Sequence, residues 1–198
     1  MTTYPRNSEP GDLAGYEVLV GVCGGIAAYK VCEVVSKLVQ NGAGVTTAMT
    51  RAARRFVGPV SFQALSGRRV LTSLWSADDP SDVQHIEVTE RADLIVIAPA
   101  TADVIGKMAA GLADDLLTTL VVSAASSVLV APAMNVRMWA NPLVQRNVGV
   151  LSEQGFRFVG PGEGWLACRS VGAGRMAEAA EIVEAAIAIL KEKPAKAG

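Results

Sequence analysis

The chain has 198 residues, a hydrophobic fraction of 51% and a formal net charge of −1. This length favours a single α/β domain, and the nearly balanced charge gives no electrostatic basis for binding nucleic acid or an anionic membrane surface. The three cysteines (Cys23, Cys32 and Cys168) have no C-x-x-C spacing, so a disulfide framework is not expected. The polar N-terminus lacks an apolar signal region and no apolar run could span a bilayer, so we predict a cytoplasmic protein.

Strands and helices are predicted to alternate along the chain, between flexible tails at residues 1–15 and 191–198. Residues 16–190 would form the folded domain. The predicted strands are 16–22, 44–49, 93–98, 127–130 and 156–159. The predicted helices are 26–40, 51–57, 59–65, 101–110, 113–124, 142–154 and 176–190, whereas residues 67–80 have no clear pattern.

This alternation indicates a Rossmann-like (flavodoxin-like) α/β fold with a parallel sheet and helices on both faces. Ligands of such sheets bind beyond the carboxyl ends of the strands. The residues expected there are Cys23-Gly24-Gly25, Thr50, Pro99-Ala100-Thr101 and Pro132-Ala133-Met134-Asn135. Any functional site should therefore lie where these segments meet.

The turn after the first strand has features of a phosphate site. Gly24 and Gly25 would let the backbone approach a phosphate, and the following helix would present amide donors to it. A tight turn with no ligand explains the glycines equally well. The turn lacks G-x-G-x-x-G, and the second strand ends in Thr50 and Arg51 rather than an acidic residue, so a mononucleotide is favoured over NAD.

Seven short motifs are spread along most of the chain, between about residues 16 and 176. They are GGIAAYK (24–30), His85-Ile86, PATAD (99–103), ADDLL (113–117), PAMN (132–135), LAC (166–168) and G-x-GRM (172–176). Together, and in this order, they resemble the homo-oligomeric flavin-containing cysteine decarboxylases. Arg169 departs from this pattern, since the family usually has glycine after the Ala-Cys pair.

The resemblance implies a Rossmann-like fold, bound FMN and a homo-oligomer built from trimers, with a dodecamer as one form and active sites at subunit contacts. Gly24, Gly25, Ile26 and Thr50 would bind the FMN phosphate. Pro99, Ala100, Thr101 and Ala102 would line the ribityl chain and ring. His85, Asn135 and Cys168 would be catalytic, and the backbone of Ala133 and Met134 would bind the substrate beside Asn135. No metal site is implied.

The expected reaction is decarboxylation of 4′-phosphopantothenoylcysteine to 4′-phosphopantetheine in coenzyme A biosynthesis. A saturated carbon bearing a carboxylate has no electron sink, and transient flavin oxidation of the thiol to a thioaldehyde would supply one. His85, the only histidine, would accept a proton and Cys168 would protonate the resulting enethiolate. Asn135 would bind the carboxylate, although an asparagine here also suits a helix N-cap.

Other interpretations remain open at this stage. The chain could decarboxylate the C-terminal cysteine of a precursor peptide, or it could be a non-catalytic flavin-binding regulatory subunit. Asp114 and Asp115 are adjacent and do not share a helix face, so capping of a helix is expected rather than an acid pair. The tryptophans are expected in packing or interfaces, because no basic groove accompanies them.

Overall fold

The computed structural model describes residues 11–74, 84–165 and 171–192. Its centre is a five-stranded sheet with strand order β2-β1-β3-β4-β5, in which every neighbouring pair is parallel. The strands are β1 (Glu17–Val22), β2 (Gly44–Met49), β3 (Leu94–Ala100), β4 (Ser127–Pro132) and β5 (Arg157–Phe158). The structure thus confirms the predicted α/β fold class.

Helices cover both faces of this sheet. The α-helices are α1 (Val31–Gln40), α2 (Pro59–Ser66), α3 (Gln84–Arg91), α4 (Ala102–Ala109), α5 (Leu116–Ser123), α6 (Val136–Trp139), α7 (Pro142–Glu153) and α8 (Ala179–Leu190). Helices α1, α2 and α8 contribute to one apolar cluster, and α4, α5 and α7 contribute to a second. None of the helices among the described residues is long and apolar enough to cross a membrane.

The central strands are buried on both faces because their alternate side chains enter different clusters. In β3, Leu94 and Val96 pack on the side of α1 and α8, whereas Ile95 and Ile97 pack on the side of α4 and α5. All four side chains are fully buried. This two-sided burial explains why β3 is a continuous apolar run rather than an alternating one.

Several elements differ from the sequence prediction. The first helix begins as a 3-10 turn over Ile26–Lys30 and becomes α-helical at Val31. Helices α3 and α6 were not predicted. The glycine-rich residues on either side of Cys168, for which no strand was predicted, include an antiparallel pair of strands, β6 (Gly162–Trp165) and β7 (Val171–Arg175).

The packed part of the chain also starts earlier than the predicted boundary at residue 16. Leu13 is fully buried, and its amide donates a hydrogen bond to the carbonyl of Asn41 over 2.8 Å. This contact attaches residues 11–15 to the turn between α1 and β2. At the other end, the proposed C-terminal tail begins at the end of α8, which is Leu190.

Candidate functional site

A cleft of about 870 Å³ lies across the carboxyl ends of the central strands. The segments that follow β1, β2, β3 and β4 all contribute to its walls, together with the end of β7. Of the residues predicted from the sequence, it brings together Gly24, Gly25, Ile26, Thr50, Thr101, Ala102, Ala133, Met134 and Asn135. The site therefore lies at the edge of the sheet that the fold class indicated.

The turn after β1 is pressed against the segment after β2. A Cβ atom on Gly24 would lie 2.3 Å from the Cβ of Ala52, so only glycine fits at this contact. Gly25 has an extended backbone (φ −151°, ψ 158°) that any residue could adopt. A Cβ on Gly25 would meet only Pro99 and Thr101, at 3.8 and 3.9 Å, on the side of the cleft.

Backbone donors at this turn point to an anion site. Gly25 donates to the carbonyl of Cys23 over 3.1 Å and Ala28 donates to Gly25 over 2.9 Å. The amides of Gly24 and Ile26 have no acceptor among the residues that the structure describes. Amides without partners at the start of a helical turn are the usual ligands of a phosphate.

Thr50 lies beside this turn because its own amide donates to the carbonyl of Val22 over 3.0 Å. Its Oγ1 accepts a hydrogen bond of 3.1 Å from the amide of Ala53, which starts a short 3-10 helix. Arg51 and Ala52 also line the cleft here. The second strand thus ends in a hydroxyl and a cation next to the glycine turn.

The segment after β3 is divided between cleft and core. Thr101 caps α4, with its Oγ1 accepting from the amide of Val104 at 3.3 Å, and Thr101 and Ala102 line the cleft. Pro99 and Ala100, which are also expected to line the flavin site, are buried at the end of β3, and the Cγ of Pro99 would lie 3.8 Å from a Cβ on Gly25. The strand is longer than predicted, and its last residues are therefore covered by neighbouring strands.

The segment after β4 carries Asn135, which caps α6. Its Oδ1 accepts a hydrogen bond of 2.7 Å from the amide of Arg137. The amides of Ala133 and Met134 donate to the carbonyls of Ala100 and Gly174, both over 2.9 Å. Both amides are therefore bonded within the protein, and the expected contact of this backbone with a substrate beside Asn135 stays a prediction.

Two of the predicted catalytic residues, His85 and Cys168, lie wholly or partly outside the described residues. The backbone of His85 belongs to α3, whose range is Gln84–Arg91. Its side chain lies outside the described part of the structure, as does Cys168 as a whole. Their proposed roles rest on the sequence.

The ion pairs around Lys107 form one wall of the cleft. The Nζ atom lies 3.9 Å from Asp103, 3.1 Å from Asp114 and 3.5 Å from Asp115. The hydrogen bond to Asp114 raises the pKa of Lys107, so it stays protonated. With three carboxylates around it, this lysine is more than neutralised.

Asp115 has the capping role that was predicted for the Asp114-Asp115 pair. Its Oδ1 accepts a hydrogen bond of 2.9 Å from the amide of Thr118 at the start of α5. Burial alone would raise the pKa of Asp115, but hydrogen bonds from Thr118 and Lys107 lower it overall. The carboxylate is therefore ionised and structural.

Sequence reasoning did not identify several other residues of the cleft. Lys30 and Arg175 were quoted only as parts of motifs, and the sequence did not indicate which way their side chains point. Tyr29, Met138 and Trp165 also line the cleft; together with the predicted Ile26 they are large apolar residues with 47–64% of their surface exposed.

Cys23 is a structural residue rather than a reactive one. It is completely buried at the end of β1, and burial raises the pKa of its thiol to about 12. A thiol that stays protonated is a poor nucleophile. Cys23 therefore packs as a small apolar side chain, and Cys32 is only partly buried.

The parallel sheet, the glycine turn and the donor-lined cleft define a nucleotide-binding α/β protein. The family model described as Flavoprotein matches residues 6–191. This match covers nearly the whole sequence, and the chain belongs to the flavoprotein family.

Named relatives and solved structures agree with this assignment. The chain is 52% identical over 169 residues to the coenzyme A biosynthesis bifunctional protein CoaBC of Bacillus subtilis, covering 85% of this chain and 42% of that protein. A PPC decarboxylase mutant complexed with pantothenoylaminoethenethiol superposes with a TM-score of 0.77 and 31% identity, covering 90% of this chain and 99% of that one. The FMN-dependent cysteine decarboxylase SpaF superposes with a TM-score of 0.77 and 34% identity, with 90% and 97% covered. The chain thus spans less than half the length of the curated relative.

Proposed function

We propose that this chain is an FMN-dependent decarboxylase domain that converts 4′-phosphopantothenoylcysteine to 4′-phosphopantetheine in coenzyme A biosynthesis. The observation that carries the proposal is the meeting of the glycine turn, Thr50, Thr101 and Asn135 in one cleft. These residues belong to motifs that lie far apart in sequence. Similarity to CoaBC and to PPC decarboxylase supports this choice of reaction.

The residues of the cleft fit a flavin mononucleotide. Gly24 and Ile26 have amides without acceptors among the described residues, and the hydroxyl of Thr50 lies at the same turn. Gly25 has no conformational need to be glycine, but a side chain there would narrow the space beside Thr101. We infer that these residues bind the FMN phosphate. Pro99, Ala100, Thr101 and Ala102 would lie along the ribityl chain and ring.

The bound flavin supplies the two-electron chemistry that a saturated cysteine side chain lacks. The protein must then bind the substrate carboxylate until CO₂ leaves. Asn135 suits this role because the NH₂ group of its side-chain amide is a hydrogen-bond donor. A donor stabilises a carboxylate without adding the permanent positive charge that would oppose its loss.

Proton transfer is assigned on the sequence alone. We propose that His85 accepts a proton as the substrate is oxidised and that Cys168 returns one to the product carbon. A histidine is suited to the first role because its unperturbed pKa lies near neutral pH. The substrate must keep a reduced thiol, and this requirement places the reaction in the cytoplasm rather than in an oxidising compartment.

We also propose a homo-oligomer built from trimers. Ile26, Tyr29, Met138 and Trp165 form an exposed apolar margin of the cleft. Apolar groups of this size are usually covered when they cluster. Light scattering coupled to gel filtration would measure the mass, and a monomer at micromolar concentration would contradict this assembly.

The direct test is anaerobic incubation of the FMN-loaded protein with 4′-phosphopantothenoylcysteine, following CO₂ and product mass. Formation of 4′-phosphopantetheine, with the flavin returned to its oxidised spectrum, would establish reaction and substrate together. Turnover of a peptide with a C-terminal cysteine, but not of this substrate, would favour the peptide reaction instead. Flavin binding with neither turnover would point to a regulatory subunit.

A further inference from the structure

Two cations of the cleft are joined by a single carboxylate. Lys30, at the end of the 3-10 turn after β1, has its Nζ 3.3 Å from Oε2 of Glu178. Arg175, the last residue of β7, donates from Nη2 to Oε1 of the same carboxylate. Lys30 and Arg175 line the cleft. One negative charge between two positive ones leaves this cluster with a net charge of about +1.

The other cations of the cleft are in different situations. Lys107 is surrounded by Asp103, Asp114 and Asp115, so its charge is more than compensated. Arg51 follows Thr50 and lies at the glycine turn, where the proposed FMN phosphate would bind. The pair Lys30–Arg175 is therefore the positive region of the cleft that neither the cofactor phosphate nor an acidic cluster explains.

Contacts of Gly174 fix the backbone position next to Arg175. The amide of Met134 donates to the carbonyl of Gly174 over 2.9 Å, which joins β7 to the segment that carries Asn135. A Cβ on Gly174 would lie 2.4 Å from the carbonyl oxygen of Met134, and its φ of +143° also favours glycine. The approach of the two segments thus fixes the position of the backbone from which Arg175 extends.

Glu178 orients both cations without consuming their donor capacity. A guanidinium has five N–H donors and an ammonium has three, so each side chain has more donors than one carboxylate can use. The side chains of Lys30, Arg175 and Glu178 keep 26%, 42% and 48% of their surface exposed. A ligand entering the cleft can therefore reach them.

We infer that Lys30 and Arg175 bind the phosphate monoester of the substrate and so select the phosphorylated molecule. This inference rests on the proposed function, which has the cysteine carboxylate bound at Asn135. A cationic pair suits a phosphate dianion, whereas an uncharged peptide segment would gain little from it. Lys30 and Arg175 are specificity-determining residues in this view, and Glu178 is a positioning residue.

The test compares each substrate with its form lacking the phosphate. For the FMN-loaded protein, kcat/KM is measured with 4′-phosphopantothenoylcysteine and with pantothenoylcysteine, and binding of 4′-phosphopantetheine and pantetheine is measured by calorimetry. The variants are Lys30→Gln, Arg175→Gln and Arg175→Lys. Arg157→Gln is the matched control, because Arg157 makes an exposed bidentate ion pair with Glu192 and is not part of the cleft wall.

We expect the wild type to prefer the phosphorylated ligands, and each Gln variant to reduce that preference by about tenfold or more, as loss of a charge-assisted hydrogen bond would. Arg175→Lys should keep more of the preference, and Arg157→Gln should keep all of it. An unchanged preference in both Gln variants would overturn the inference. Loss of FMN with an unchanged preference would also overturn it, since the pair would then serve the cofactor.

The binding measurement separates this inference from the proposed reaction. If no CO₂ is released from either substrate, the proposed function fails. A preference for 4′-phosphopantetheine that the Gln variants abolish would still support a phosphate subsite in that case. Equal binding of the two pantetheines by the wild type would exclude the subsite whatever the turnover.

Discussion

Replacing Gly25 by alanine should separate flavin binding from folding. The backbone at this position is extended, with φ −151° and ψ 158°, so alanine adopts it without strain. Its Cβ would lie 3.8 Å from Pro99 and 3.9 Å from Thr101, which are ordinary contacts. Because alanine restricts the unfolded chain more than glycine does, the flavin-free protein should gain about 0.4–1 kcal/mol of stability.

The same methyl group should weaken flavin binding. It would occupy the space between the glycine turn and Thr101, where the proposed cofactor must approach the backbone. If one amide-to-phosphate hydrogen bond is lost, the cost is about 1.5–3 kcal/mol, because the acceptor is charged. FMN affinity should therefore fall by roughly ten- to 150-fold, at 1.4 kcal/mol for each factor of ten.

Gly24→Ala is the matched comparison, since the two glycines are adjacent but differ in their surroundings. A Cβ on Gly24 would lie 2.3 Å from the Cβ of Ala52, so the two turns must move apart. We expect this variant to lose about 1–3 kcal/mol of stability by overpacking. Thermal unfolding of the flavin-free proteins and quenching of FMN fluorescence would measure both effects.

The reasoning would be refuted by Gly25→Ala binding FMN with wild-type affinity, because the space beside Thr101 would then not be used. It would equally be refuted if Gly25→Ala unfolded at a lower temperature than Gly24→Ala. A stable Gly25→Ala protein that binds flavin roughly ten- to 150-fold more weakly is the expected result. That outcome would assign the glycine at this position to the ligand rather than to the turn.

Three further predictions concern the cleft and the sheet. Asn135→Asp should remain folded and flavin-loaded, because aspartate can also cap α6. It should no longer release CO₂, because the new carboxylate repels the substrate carboxylate. Full activity would contradict this role of Asn135. Asp115→Ala should lower the free energy of unfolding by about 0.5–2 kcal/mol through loss of the cap on α5. Asp115→Asn is the control, because asparagine keeps the cap. Equal denaturation midpoints for the two variants would exclude the capping role. The hydrogen bond from Arg68 lowers the pKa of Glu17 below its ordinary 4.5. The ion pair therefore stabilises the folded protein fully above pH 4.5. This stabilisation is lost as the pH falls through the lowered pKa of Glu17. The stability difference between wild type and Arg68→Gln should accordingly shrink in acid, and a difference that grows would contradict the assignment.

The strands could be predicted because both faces of the sheet are buried. A strand such as β3 must be apolar at every position, and this leaves a continuous run that can be recognised without knowing its neighbours. The carboxyl ends of these runs then mark the site. The end of β3 was predicted two residues too early, because an apolar run does not show where the strand stops.

The paired strands β6 and β7 could not be predicted by the same argument. Gly162, Gly164, Gly172 and Gly174 give them a composition typical of a loop. Gly174 is required by the close approach to the carbonyl of Met134, and this requirement exists only in the folded protein. Leu13 is similar, because a single apolar residue in a polar segment gives no periodic signal although it is fully buried.

The ion pairs of the cleft were also beyond sequence reasoning. Lys30 and Glu178 are separated by 148 residues and meet because their segments, before α1 and before α8, come together over the same face of the sheet. No local spacing rule connects them. Asp115, in contrast, caps its own helix three residues before Thr118, and such a contact is visible as a local pattern.

The capping and ligand-binding interpretations of the polar cleft residues are compatible, and the geometry explains why. Thr50, Thr101 and Asn135 each accept a hydrogen bond from a backbone amide two or three residues later. An oxygen that accepts in this way leaves the hydroxyl hydrogen of threonine and the NH₂ group of asparagine as the donors of these side chains. All three capping residues line the cleft, so donor groups and the starts of helices lie together at the carboxyl edge of the sheet. Donors suit anions such as a phosphate or a carboxylate, so the contacts that begin the helices also define the kind of ligand that the cleft can bind.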